Sequence, residues 1–267
     1  MRDGPVVGLL SDFGTRDWYV GVLKAILLRG CPDARIVDIT HEIPPHDIAA
    51  GAFVLHAAAP WFPARSVLLA VVDPGVGSDR RLLAMDVDGR RFVGPDNGVL
   101  ALVASQAKRR AIVELTNRRR WLQPVSSTFH GRDILAPVAA RLASGARLTS
   151  VGETVDAWRP LAFAEPMQRA GLSTGAIIHI DRFGNLITNL PATLLERGRA
   201  ARVRCGKRRA RVVSSYSEGR VRELVALTGS HGYVELAVRD GSAARQIRAA
   251  RGDVVSARIG ASRAHRC

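Results

Sequence analysis

The first half of the chain alternates short apolar runs with longer segments whose apolar residues recur at helical spacing. Val6-Val7-Gly8-Leu9-Leu10 predicts a strand ending at Ser11-Asp12, and Trp18, Leu23, Ile26 and Leu27 predict a helix stopped at Gly30. Ile36-Val37-Asp38-Ile39 is the next strand, and Asp47, following Pro44-Pro45, is placed to cap a helix running toward His56. Val67 to Val72 is apolar throughout, as in a strand buried on both faces, and stops at Asp73-Pro74-Gly75. Leu82 to Val87, then Asp88-Gly89, then Arg91 to Val93 predict a hairpin. Helices over Gly98 to Gln106 and Asp133 to Ala143 flank a strand over Ile112 to Leu115. This alternation predicts an N-terminal α/β domain with a mostly parallel sheet.

The stretch Thr154 to Thr174, with Pro160 and Pro166 among polar residues, reads as a linker. From about Gly175 strands dominate: Ala176 to Ile180, Ala201 to Cys205, Arg209 to Val213, Leu224 to Thr228, Tyr233 to Val238 and Val254 to Ile259. Short turns such as Cys205-Gly206-Lys207 and Gly229-Ser230 separate them, so the second domain is expected to be a compact β-barrel or sandwich. The expected domains are 1–160 and 172–267.

Composition narrows the class. A chain of 267 residues, 47% hydrophobic, is long enough for two domains with buried cores. No uninterrupted apolar stretch reaches bilayer length, and Met-Arg-Asp-Gly-Pro leads straight into a strand without signal-peptide features. Cys31, Cys205 and Cys267 are widely spaced and suggest neither a disulfide framework nor a zinc site. A cytoplasmic protein is expected. The net charge of +15 raises the question of nucleic acid, but the basic runs Arg118-Arg119-Arg120 and Lys207-Arg208-Arg209 are short, and aromatics make up only 5%. Arginine-rich solvated faces explain the charge better than a nucleic-acid partner.

Candidate chemistry lies where the early strands end. In open α/β sheets ligands bind beyond the carboxyl ends of the strands, here at Asp12, Thr40-His41 and Asp73. Asp12-Phe13-Gly14 and Asp73-Pro74-Gly75-Val76-Gly77 allow close backbone approach to a ligand, yet match neither a phosphate loop nor a dinucleotide fingerprint. Arg80, seven residues beyond Asp73 across the glycine turn, is placed to fold back and pair with it. His130 precedes a helix, where capping is the simpler reading and a functional imidazole the alternative. Asp181 to Asn189 reads either as a tight turn between strands or as part of a site.

Taken in order, Ser11-Asp12-Phe13-Gly14, Ile39-Thr40-His41 with Ile43-Pro44-Pro45, Val72 to Gly77, Gly94-Pro95-Asp96-Asn97-Gly98, Phe129-His130-Gly131-Arg132-Asp133, Asp181 to Asn189 and Gly232 to Ala237 resemble the S-adenosyl-L-methionine hydroxide adenosyltransferases, relatives of fluorinase and chlorinase. The resemblance spans nearly the whole chain. It implies an N-terminal α/β domain, a C-terminal β-barrel and a homotrimer with sites between neighbouring subunits, acting on a small-molecule substrate with no nucleic acid, membrane, metal or cofactor. It also implies an Asp-Arg-His group at Asp73, Arg80 and His130, with Asp12 on the ribose hydroxyls and Asp17 and Asp181 near the methionine moiety. Asn185 and Tyr216 would contact adenine, and Ser230 and His231 the methionine carboxylate. Two positions depart from the pattern: His46 stands where relatives often carry an aromatic ring, and His231 where the halogenating relatives carry arginine.

The activity so implied is hydrolysis of S-adenosyl-L-methionine to adenosine and methionine. A sulfonium already primes the ribose 5′ carbon for displacement, so the protein must hold one water in line with the sulfur and exclude the rest. Halide transfer is the rival within the family; the halogenating relatives lack the Asp and His of the triad and carry an additional loop, for which the connection around Pro95-Asp96-Asn97 leaves little room. A non-catalytic nucleoside sensor is the rival from another class, and an intact triad argues against it.

Overall fold

The computed structural model describes residues 4–161, 166–196 and 202–258, and the chain divides into two compact units, Met1–Leu161 and Ala162–Cys267. In the first, strands β1 (Val6–Ser11), β2 (Arg35–Thr40), β3 (Val67–Val71), β4 (Leu82–Val87), β5 (Arg90–Pro95), β6 (Arg110–Glu114) and β7 (Glu153–Thr154) form one sheet in the order β2-β1-β3-β5-β4-β6-β7. Five of the seven, β1, β2, β3, β5 and β6, run the same way, while β4 and β7 oppose them. The expected α/β class therefore holds.

Helices α1 (Tyr19–Gly30) and α4 (Ala136–Ala143) cover one face of the sheet, and α2 (Ile48–Ala58) and α3 (Ala101–Ser105) the other. The two-residue period of a strand divides β3 between the cores. Val67, Leu69 and Val71 pack with Leu23, Leu27 and Val138 on one side, and Leu68, Ala70 and Val72 pack with Leu10 and Leu55 on the other. Full burial of each large aliphatic side chain contributes about 1.5–3 kcal/mol, which is why this central strand carries no polar residue. Asp47 caps α2 as expected, its side chain accepting from Ala50 N–H. The Asp88-Gly89 turn has φ of 49° and 81°, the left-handed pair that a two-residue hairpin requires.

Two expectations are corrected. The helix placed at Asp133 begins instead with a π-helical turn over Gly131–Leu135 that leads into α4. The described parts of the stretch expected as a linker belong to the two units. Residues 155–161 belong to the first unit: Val155 and Trp158 pack on its core, and Arg159 N–H donates to Asp96 Oδ1 at 2.6 Å. Farther on, β8 (Met167–Arg169) pairs with β9 (Leu172–Ile180) across a tight turn at Ala170-Gly171. Met167, Gln168 and Arg169 are all exposed, so this edge strand has no apolar alternation to reveal it.

In the second unit β9, β10 (Leu186–Pro191), β11 (Arg202–Cys205), β12 (Arg208–Val212), β13 (Leu224–Thr228), β14 (Tyr233–Val238) and β15 (Val254–Arg258) close into a seven-stranded barrel in the order β10-β14-β13-β12-β11-β15-β9, with β9 returning to β10 and β8 appended to β9. Short helices α5 (Thr193–Glu196) and α6 (Ala243–Ile247) complete it. The turn expected over Asp181 to Asn189 is confined to its first residues, because Leu186 to Leu190 are buried in β10. Ala201 and Ile259, expected as strand residues, lie outside the described residues.

Candidate active site

The order β2-β1-β3 means that the chain leaves β1 toward one side of the sheet and returns to β3 on the other. The crevice between the carboxyl ends of β1 and β3 is thus a topological switch point, the usual ligand position in this architecture. A cavity of about 330 Å³ opens there, and its walls include Asp12, Tyr19, His46, Asp73, Phe129 and His130. A larger cavity of about 1100 Å³ sits at the amino ends of the same strands, beside Val6, Arg35, Ser66 and Arg91, the end of the sheet opposite to the usual ligand position.

Asp73 follows β3, and the Pro74 to Gly77 turn folds the chain back so that Arg80 meets it. Arg80 Nε donates to Asp73 Oδ1 at 2.5 Å and Nη2 donates to Oδ2, a fork-to-fork ion pair whose side chains are only 7% and 6% exposed. The second Nη2 hydrogen reaches His130 Nδ1 at 3.2 Å. Gly77 permits this approach: it adopts φ of 83°, and a Cβ there would lie 2.5 Å from the carbonyl oxygen of Ser127. His130 does not cap the following helix through its side chain, so the capping alternative is not what folds.

A guanidinium has no acceptor, so Nδ1 of His130 must carry the lone pair in this contact and Nε2 the hydrogen. Burial and then the Arg80 charge press the imidazole below its usual 6.5, and Asp73 and Asp133 offset this only in part. His130 is therefore neutral near pH 7. Asp133, two-toothed on Arg132 and bonded by Ser126 N–H, anchors the segment behind it: burial works to raise its carboxyl, and these hydrogen bonds bring it below the usual range.

Asp12, at the end of β1, accepts His46 N–H on Oδ2 at 2.8 Å. His46 makes that bond from a left-handed backbone with φ of 67°. Phe13, Trp18, Tyr19 and Phe129 form a ring cluster beside the cavity, with centroids 4.6–5.8 Å apart. Asp17 is exposed on the loop into α1 and is not part of the cavity wall. In the Gly94 to Gly98 motif the polar residues have structural partners. Asp96 takes Arg81 at 2.6 Å, and Asn97 Nδ2 donates to Val72 carbonyl at 2.8 Å.

The barrel unit gathers a second polar group. Asp181 Oδ1 accepts the Phe183 and Asn185 backbone N–H groups at 2.9 and 2.8 Å, and Oδ2 accepts Asn185 Nδ2 at 2.9 Å. It is thus a turn former, as the simpler alternative had it, and is bonded to Asn185 as well. Tyr216 hydroxyl donates to Glu235 Oε1 at 2.6 Å, and His231 Nε2 lies 3.3 Å from Glu235 Oε2. Burial, the Glu235 hydrogen bond and the charges of Glu235 and Asp181 push the Tyr216 phenol well above its usual 10. Ser230 is exposed on the turn beside His231. Glu235, 4% exposed and joining Tyr216 to His231, was not singled out from the sequence. Its signal was there: one carboxylate in the otherwise apolar run Val234 to Val238.

Residues 7–152 match the family model described as the SAM hydroxide adenosyltransferase N-terminal domain, and residues 175–256 match that of the C-terminal domain. The chain is 41% identical over 258 residues to the (R)-S-adenosyl-L-methionine hydrolase of Salinispora tropica, covering 95% of this chain and 97% of the relative. It is 40% identical to the (R)-S-adenosyl-L-methionine hydrolase of Thermus thermophilus, covering 89% and 93%. A fluorinase from Actinoplanes is more distant, at 29% identity over 72% of this chain and 74% of its own. Among solved structures, one titled an uncharacterized conserved protein from Thermotoga maritima superposes with a TM-score of 0.88 at 36% identity, covering 95% of this chain and 100% of that one. With both of its domains matched and the two hydrolases covered nearly end to end, the chain belongs to the SAM hydroxide adenosyltransferase family.

Proposed function

We propose that the protein hydrolyses S-adenosyl-L-methionine to adenosine and L-methionine, acting on the (R) sulfonium epimer for which its relatives are named. The observation that carries this reading is the Asp73–Arg80–His130 constellation at the mouth of a nucleoside-sized cavity. The water oxygen attacks the ribose 5′ carbon as the carbon–sulfur bond breaks. The bonding pair passes to sulfur, which leaves as the neutral thioether of methionine, and one water proton passes to a base.

His130, neutral and accepting on Nδ1, presents Nε2–H as a donor, so the proton goes to Asp73 and His130 orients the water oxygen. Arg80 holds both groups in register. Its Nη1 is buried with no hydrogen-bond partner among the described residues, a donor suited to an oxygen held in the site. Asp12 holds the ribose hydroxyls, for which a carboxylate has an acceptor oxygen each. Asp17 and Asp181 pair with the methionine ammonium, Asn185 and Tyr216 contact adenine, and Ser230 and His231 meet the methionine carboxylate. The aromatic cluster beside Asp12 keeps bulk water from the reacting carbon. The protein acts as a homotrimer with sites at subunit interfaces, in the cytoplasm, and without a cofactor.

Turnover in heavy-oxygen water tests the reaction. The label is expected at the 5′ oxygen of adenosine, read by mass spectrometry, with and without added chloride or fluoride. A halogenated deoxyadenosine would make the protein a halide transferase, and tight binding without any turnover would make it a sensor.

A further inference from the structure

Behind the cavity wall lies a second chain of polar groups that the reaction does not use. Ser11 and His41 are buried, at 0% and 3% exposure, and neither lines the cavity. Ser11 Oγ is 2.7 Å from His41 Nδ1, His41 Nε2 is 3.1 Å from Asp38 Oδ1, and Lys24 Nζ donates to Asp38 Oδ2 at 2.6 Å. The order Ser–His–Asp is that of nucleophilic hydrolases. A serine with no accessible surface reaches no substrate, so this group is not a second nucleophilic centre.

Its hydrogen bonds run in one direction. Burial works to raise the Asp38 carboxyl, but the hydrogen bonds from Lys24 and His41 outweigh it and hold the group below the usual range. An anionic Asp38 takes the hydrogen of His41 Nε2, and Ser11 hydroxyl then donates to Nδ1. This leaves Ser11 Oγ to accept Phe13 N–H over a long 3.4 Å. In the opposite sense, with Nδ1–H donating, the Ser11 hydroxyl hydrogen would have no acceptor among the described residues.

Around this relay the loop after β1 is tied to the loop after β2. Gly14 N–H donates to His41 carbonyl at 2.7 Å, and His46 N–H donates to Asp12 Oδ2 at 2.8 Å. Asp12 therefore lies between two chain contacts to His41, Ser11 Oγ to its Nδ1 and Gly14 N–H to its carbonyl, and its carboxylate is bonded by His46 from the loop that His41 begins. We propose that His41, locked between Ser11 and Asp38, is a positioning residue that sets the angle of the Asp12 carboxylate toward the paired hydroxyls of a nucleoside ribose. The inference rests on the role given to Asp12 above. A carboxylate that must meet two hydroxyls at once tolerates little misplacement, and rigid supporting hydrogen bonds supply that precision.

Calorimetric binding of adenosine and of 2′,3′-dideoxyadenosine to the full chain tests it. His41→Leu is expected to weaken adenosine on the order of tenfold, the loss of a charge-assisted hydrogen bond, and to leave dideoxyadenosine unchanged. In turnover KM rises while kcat holds. His41→Asn, whose amide oxygen accepts from Ser11, is expected to recover part of the loss. Ser11→Ala serves if His41→Leu does not fold, with the same selective loss expected. Equal weakening of both nucleosides, or none of either, overturns the proposal. If the wild type itself binds the two nucleosides equally, Asp12 has no ribose role and the proposal falls with it, while the isotope experiment still reports on hydrolysis.

Discussion

Arg80 Nη2 lies 3.2 Å from His130 Nδ1, fifty residues farther along the chain, while the same nitrogen donates to Asp73. One guanidinium thus fixes a carboxylate and the tautomer of an imidazole together. Neither contact requires a metal or a mobile element, and both depend on the fork geometry that only arginine offers.

Removal of any member of the group should be costly to activity. Asp73→Asn and His130→Ala are each expected to lower kcat by about 10²- to 10⁴-fold, the range for a positioned acid–base group. Arg80→Lys should lose nearly as much, since an ammonium cannot bridge both partners. Single-turnover assays with circular dichroism as the folding control measure this, and wild-type rates in Asp73→Asn would dismiss the hydrolytic mechanism.

The pH dependence follows from the imidazole. Burial and Arg80 lower the His130 pKa from 6.5, so the native state resists protonation and the unfolded chain takes up the proton first. Stability from this residue is therefore complete above 6.5 and declines as pH falls through that value toward the native pKa. Activity should have an acid limb with its midpoint below 6.5. Profiles of kcat/KM for the wild type and His130→Gln check this, and the limb is expected to vanish in the variant.

Gly77 tests how the turn delivers Arg80. At φ of 83°, with Ser127 carbonyl oxygen 2.5 Å from any Cβ, alanine must displace the loop that leads to His130. Gly77→Ala is expected to destabilise by about 1–3 kcal/mol and to reduce kcat more than stability alone explains. Calorimetric melting alongside kinetics separates the two effects.

In the barrel, Glu235 should govern Tyr216. Glu235→Gln removes the charge that disfavours the phenolate, so Tyr216 ionisation should move down toward its usual 10, only part of the way because burial, the larger cause, remains. Ultraviolet titration of the phenol reads the shift directly. An unmoved titration would mean that burial alone sets the phenol.

Much of this was legible in the residues, and the gaps have physical causes. β13 and β14 begin and end where their apolar runs do, because hairpin strands have polar turns at both ends. β8 resembles a linker in the sequence because an edge strand exposed on both faces needs no apolar face. β10 is hidden in the sequence because the turn residues Asp181 to Asn185 run into it without a break. Asp73 and Arg80 are paired by a local turn, so their spacing foretold the contact. His130 was ambiguous, since capping and catalysis ask for the same residue at the same helix start.

The sequence by itself determined the alternation of elements, the change from α/β to barrel and the residue types at the strand ends, because periodicity and turn chemistry act over a few neighbours. Tertiary structure alone decided that Arg80 would reach His130, that Ser11 would find His41 and that Glu235 would be sealed beneath Tyr216. Those contacts depend on the order in which strands lie in a sheet or barrel, which is set by packing of whole elements rather than by any local run of residues.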